Sequence, residues 1–166
     1  ASPVLEGNRA AFAHDWSGYL DAVIARLRAV RPLAEEHGVT VAVENHQDLT
    51  ADDLLRIVDA VGGECIGVTF DAVNSYVVAE DPFAALPRLA PHVRVIHLAD
   101  YSAYPTREGW RLVRCALGEG DLNLRRLCAL IDAHAPAALC QIELVSHSAR
   151  HVRLLTDAWW QGYPPR

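Results

Sequence analysis

The sequence predicts an α/β fold of about four βα units, a parallel sheet covered by helices, and three observations carry that expectation. Short apolar runs alternate along the chain with longer segments of helical periodicity. The runs are nearly continuous in apolar residues, which is the pattern of strands buried on both faces. The connections between the two kinds of segment are mostly short, as a regular strand–helix alternation requires.

Taken in order, "WSGYLDAVIARLRAVRPLAEEHG" places Tyr19, Leu20, Val23, Leu27, Val30, Leu33 and Ala34 at roughly helical intervals and closes on Gly38, a suitable C-terminal cap. "VTVAVENH" follows as a strand. "TADDLLRIVDAVGG" opens on Thr50 as a cap, with Asp52 and Asp53 in the first turn, and ends on Gly62 and Gly63. "CIGVTFD" is the second strand, and "DPFAALPRLAPH" predicts a helix starting at Pro82, kinked or broken at Pro87. "VRVIHLAD" is the third strand, followed by a long irregular stretch from Tyr101 to Asp121. "NLRRLCALIDAHAP" predicts a helix, "AALCQIEL" the fourth strand, and "SARHVRLLTDAWW" a closing helix whose Trp159 and Trp160 pack against neighbours.

Composition sets the outer bounds. The chain has 166 residues, 51% of them hydrophobic, enough for one core in a single domain or in part of a larger one. No apolar run is long enough for a membrane helix, and "ASPVLEGNRA" lacks the basic start and apolar stretch of a signal peptide. A net charge of -6 argues against a duplex nucleic-acid partner, which needs clustered cations to neutralise phosphates. Cys65, Cys115, Cys128 and Cys140 show no CxxC pairing and are expected as buried free thiols in a reducing, cytoplasmic setting. The absence of methionine predicts a chain that is trimmed or is a piece of something longer.

The strand ends carry the chemistry. The four strands close on Glu44, Asp71, His97 and Glu143 in turn, which lie 27, 26 and 46 residues apart. A (βα)8 barrel uses about 30 residues per unit, so the first two gaps are one unit each and the third is one unit plus the long loop. Four consecutive parallel strands thus bring ligand-type side chains to the same C-terminal edge, where barrels hold their active sites. An unpaired carboxylate at the end of a buried strand is expensive, and a divalent cation shared along the edge would relieve it. Three carboxylates and one imidazole make an oxygen-rich donor set that suits Mn²⁺, Mg²⁺ or Co²⁺ better than a thiolate-type zinc site.

The motifs "VAVENH", "GVTFDAVNS", "RVIHLADY", "RLVRCALGEGDLNL" and "QIEL" together resemble the sugar phosphate isomerase/epimerase superfamily, the xylose-isomerase-like TIM barrels. The resemblance runs from about Trp16 to Glu143. It implies the C-terminal half of a (βα)8 TIM barrel, about four βα units, forming a single partial domain over residues 1–166 without the N-terminal strands. It also implies that Glu44, Asp71, His97 and Glu143 hold one divalent cation, Mn²⁺ first, with Mg²⁺, Co²⁺ or Zn²⁺ as alternatives. Asn74 and Arg107 match positions that contact substrate in relatives, and Glu119 lies in "GEG", which borders the pocket there but is too weak for a phosphate loop. His46 follows the first ligand strand, as a substrate contact or a loop residue without a role. Asp100 orients ligands or substrate, unless it serves a loop or helix cap. His147 and His151 share i, i+4 spacing, for which an exposed helix with two unrelated histidines is the better reading.

The implied activity is metal-dependent isomerisation or epimerisation of a small sugar or sugar-like ketone through an enediolate, with Glu44 and Glu143 as the two carboxylate bases. A lyase on the same scaffold, of the inosose dehydratase or C-glycoside-cleaving kind, and a non-catalytic half-barrel subunit are the alternatives. The expected partners are a small carbohydrate and whatever closes the half barrel, whether another chain, its missing strands or a second copy. Open sheet edges invite such pairing. Neither nucleic acid nor membrane is expected.

Overall fold

The computed structural model describes residues 7–143, 149–161 and 163. Helix α1 (Gly7–Ala11) leads into α2 (Trp16–Glu36), which Asp15 caps by accepting from the Gly18 N–H. Strand β1 (Val41–Glu44) precedes α3 (Ala51–Val61), where Thr50 and Asp53 form a reciprocal capping box and Gly62 ends the helix at φ 67°. Strand β2 (Ile66–Asp71) runs directly into α4 (Ala72–Val77), then α5 (Pro82–Leu89) and a 3₁₀ turn at Ala90–His92. Helix α5 passes through Pro87 without a break. Strand β3 (Val93–Leu98), helix α6 (Leu124–His134) and strand β6 (Leu139–Ile142) complete the expected alternation.

Strands β1, β2, β3 and β6 pair in parallel in that order, with β1 and β6 at the edges. Strand β2 is buried at every position. By alternation, Ile66, Val68 and Phe70 face away from Asp71, and these three join the core with Leu54, Ile57 and Val58 of α3 and Leu86 and Leu89 of α5. Between β2 and β3 the register slips: Val68 pairs with Val93 and Thr69 with Val95, so Arg94 has no opposite number. At the start of the chain, Arg9 is 1% exposed; its guanidinium lies 3.8 Å from the Trp16 ring and 4.4 Å from that of Tyr163, and it pairs with Asp53 at 2.5 Å.

Two expectations are overturned. The stretch after His97 is not irregular but a hairpin of β4 (Asp100–Thr106) and β5 (Gly109–Cys115). The segment expected as a closing helix begins instead as β7 (Ala149–Val152), which pairs antiparallel with β5, and only Asp157–Trp160 (α7) is helical. Pairing across distant sequence outweighs local propensity in both places. Of the two histidines spaced i, i+4, His151 lies on β7 and His147 lies outside the described residues. Trp159 is 1% exposed, as expected of a packing residue. All four cysteines are free, yet Cys65 and Cys115 are only half-buried while Cys128 and Cys140 are exposed, so the expectation of buried thiols fails. Among the described residues, no helix is long and apolar enough to cross a membrane.

Candidate metal centre

Each ligand candidate is placed by the end of a strand. Glu44 closes β1, Asp71 closes β2, His97 is the next-to-last residue of β3, and Glu143 stands one residue past β6. Asp71 pairs directly with His97, which pairs with Gln141, two residues before Glu143. Glu44 pairs with Thr69, two residues before Asp71. Steps of two keep all four side chains on one face of the sheet.

Convergence follows. One ligand-capable atom from each of Glu44, Asp71, His97 and Glu143 lies within 4.8 Å of the others. His97 Nδ1 is 3.4 Å from Glu44 Oε1 and 3.6 Å from Glu143 Oε2. Asp71 Oδ1 accepts the N–H groups of Val73 and Asn74 at the start of α4, which leaves Oδ2 buried without a hydrogen-bond partner. His97 Nδ1 and Glu143 Oε2 are likewise buried without hydrogen bonds. Orphaned buried polar atoms are rare, and three of them facing one centre fit a divalent cation. Burial pushes the Asp71 carboxyl up to about 6, against a weaker downward pull from the Asn74 N–H and from Arg114.

Sequence reasoning missed two residues at this centre. Asn45 fastens the end of β1 to β2: its Nδ2 donates to the Asp71 carbonyl at 2.8 Å and its Oδ1 accepts the Asp71 N–H at 2.7 Å. An amide that both donates and accepts, placed straight after a strand, was the available signal. Arg114 on β5 donates from Nη1 to the Glu143 carbonyl at 3.0 Å, and its side chain is 6% exposed. No periodic feature of the sequence marks it.

The remaining candidates fall into three places. Asn74 is buried beside the centre, its Nδ2 donating to Glu44 Oε1 at 3.4 Å and its Oδ1 without a partner. Asp100 is fully buried, and its two oxygens accept the N–H groups of Tyr101, Gly118, Gly120 and Leu122, so this carboxylate holds the loop after the hairpin together. These contacts fit the loop role among the two expected for it. His46, Arg107 and Glu119 are exposed, Arg107 at the hairpin tip and Glu119 in the loop that Asp100 organises.

Comparison with known proteins agrees with this architecture. The chain is 28% identical over 148 residues to the 3-oxo-isoapionate decarboxylase of Pectobacterium atrosepticum, covering 84% of this chain and 52% of that protein. A xylose isomerase domain protein from Planctomyces limnophilus superposes with a TM-score of 0.64 at 28% identity, over 75% of this chain and 46% of that one. A xylose isomerase-like TIM barrel protein from Mycobacterium smegmatis, solved in complex with magnesium, gives 0.64 at 19% identity, over 81% and 47%. This chain therefore spans about half the length of the decarboxylase and of both solved structures. Residues 4–158 match the family described as xylose isomerase-like TIM barrel, and the chain belongs to that family.

Proposed function

We propose that this protein catalyses the divalent-cation-dependent isomerisation or epimerisation of a small sugar or sugar-like ketone, with Glu44 and Glu143 as its two carboxylate bases. The observation that carries the reading is the meeting of Glu44, Asp71, His97 and Glu143 around one point, with three buried atoms left without hydrogen bonds. A bound cation, Mn²⁺ being our choice for so oxygen-rich a site, would supply Lewis-acid polarisation of a carbonyl oxygen. Asp71 and His97 come from the two central strands and hold the middle of the site. Glu44 and Glu143 come from the two edge strands and flank His97. That placement suits one carboxylate to take a proton from carbon and the other to return it. Asn74 steadies Glu44 and offers its unpartnered Oδ1 to a substrate hydroxyl. His46, Arg107 and Glu119 are exposed and open to contact with a polyol.

The test is Glu143→Gln in the cation-loaded protein. It should fold normally and lose the exchange of substrate C–H with solvent deuterium. Undiminished exchange would refute the two-base assignment.

A lyase on the same scaffold is the second reading, favoured by the similarity to a decarboxylase. Product mass separates the two, since only a lyase releases a fragment. A non-catalytic subunit is the weaker third reading, because a scaffold has no need of four converging ligands. The chain is then one partial barrel domain, and the open edges at β1 and β6, with Leu139 and Ile142 exposed on β6, support closure by further strands from another chain, the rest of a barrel or a second copy. The free cysteines support a cytoplasmic setting.

A further inference from the structure

Two arginines of the small sheet, ordered β4, β5, β7, hydrogen-bond to residues that follow the edge strands of the parallel sheet. Leu112 on β5 pairs with Arg150 on β7, and Arg114 lies two residues beyond Leu112, so Arg114 and Arg150 share one face of that sheet. Arg114 Nη1 donates to the Glu143 carbonyl at 3.0 Å and stands 3.7 Å from Glu143 Oε2, while the guanidinium lies 5.1 Å from the Tyr101 ring centre. Arg150 Nε donates to Gln47 Oε1 at 2.7 Å. Glu143 follows β6 and Gln47 follows β1, the two edge strands of the parallel sheet. Gln47 also holds φ at 62°, a conformation that a non-glycine residue keeps only when its surroundings impose it.

These contacts meet a specific need. Asp71 and His97 lie on strands with neighbours on both sides, but Glu44 ends, and Glu143 follows, a strand with one neighbour among the described residues. Past the end of β6, the Glu143 backbone is held by its own N–H to the Leu98 carbonyl at 3.0 Å and by Arg114 on its carbonyl. We propose that Arg114 and Arg150 are positioning residues, bracing the rims of β6 and β1 so that Glu143 and Glu44 stay within reach of one cation. The inference rests on the metal reading above. Its sign is informative. A guanidinium near the site repels a divalent cation, so charge alone predicts tighter binding when the arginine is removed. Bracing predicts the reverse.

The experiment measures Mn²⁺ affinity by calorimetry and the visible spectrum of the Co²⁺-loaded intact protein, which reports coordination geometry. Arg114→Met and Arg150→Met should each weaken Mn²⁺ binding by about 10-fold, the lower end of what supporting residues contribute to metal sites, and alter the Co²⁺ spectrum. Arg114→Met should add little to Glu143→Gln but its full effect to Glu44→Gln, and Arg150→Met should show the opposite pairing. Arg114→Lys, which retains a donor and the charge, should recover part of the loss and serves where the Met variant does not fold. Unchanged or tightened affinity, or full additivity in every pair, would overturn the bracing role. A wild-type protein that binds neither Mn²⁺ nor Co²⁺ would sink the metal reading itself, a result distinct from normal binding that is indifferent to both arginines.

Discussion

Strands β2 and β6 each deliver a carboxylate to the same centre, yet they are built in opposite ways. Every residue of β2 is buried, and Asp71 at its end is 0% exposed and tied to the first N–H groups of α4. Every residue of β6 is exposed, with Leu139 at 59% and Ile142 at 64%. Glu143 beyond it keeps 36% of its side chain accessible. The central part of the site is therefore fixed by the core of this chain. The part at β6 lies on an exposed edge strand and rests on the proposed arginine brace. A shared function does not require equally shared stability.

That contrast can be broken experimentally. Phe70→Ala on β2 should destabilise the protein by about 3–5 kcal/mol in denaturant unfolding, as large-to-small changes in packed cores do. Nearly as large is the effect of pH. Without a cation, the folded pKa of Asp71 rises from 3.8 to about 6. The folded state then holds the proton more tightly than the unfolded chain, so stability is highest in acid and falls as pH rises from about 4 to 6. The loss should approach about 3 kcal/mol, and Asp71→Asn should flatten the curve. Saturating Mn²⁺ at about 100 times its Kd, at neutral pH, should restore about 2.7 kcal/mol in the wild type and almost nothing in Asp71→Asn. The smallest effect belongs to β6: Ile142→Ala should stay within about 0.5 kcal/mol in this chain alone. A loss of 2 kcal/mol or more, measured in the presence of a closing partner, would show that β6 is core in the assembled protein.

Much of this was legible beforehand because each apolar run carries its ligand-type side chain at or just past its C-terminal end, and a register of two residues needs no structure to be counted. Thr50, Gly62 and Pro82 announced helix boundaries for local reasons, and they stand where expected. The hairpin was not legible. Pro105 lies inside its first strand, where a proline argues against one, and Arg114 occupies the face that Leu112 and Trp110 would otherwise mark as apolar. Strand β7 owes its form to a partner some forty residues earlier in the chain. At Asp100 the sequence left two roles open, because a carboxylate that gathers backbone N–H groups and one that orients ligands or substrate look alike in sequence. Only the surrounding backbone tells them apart.

The slip between β2 and β3 sets which way a histidine faces. Had the pairing of Val68 with Val93 continued evenly, Asp71 would lie opposite Ile96, and His97 would point toward the helices. Arg94 is the spare residue that shifts the phase, and Gly67 leaves room for it: a methyl there would sit 2.5 Å from Arg94 Cγ and 2.8 Å from the His92 carbonyl oxygen. The donor set thus depends on a counting device near the opposite end of the strands, made of one glycine and one unmatched arginine, neither of which could ever touch the ion.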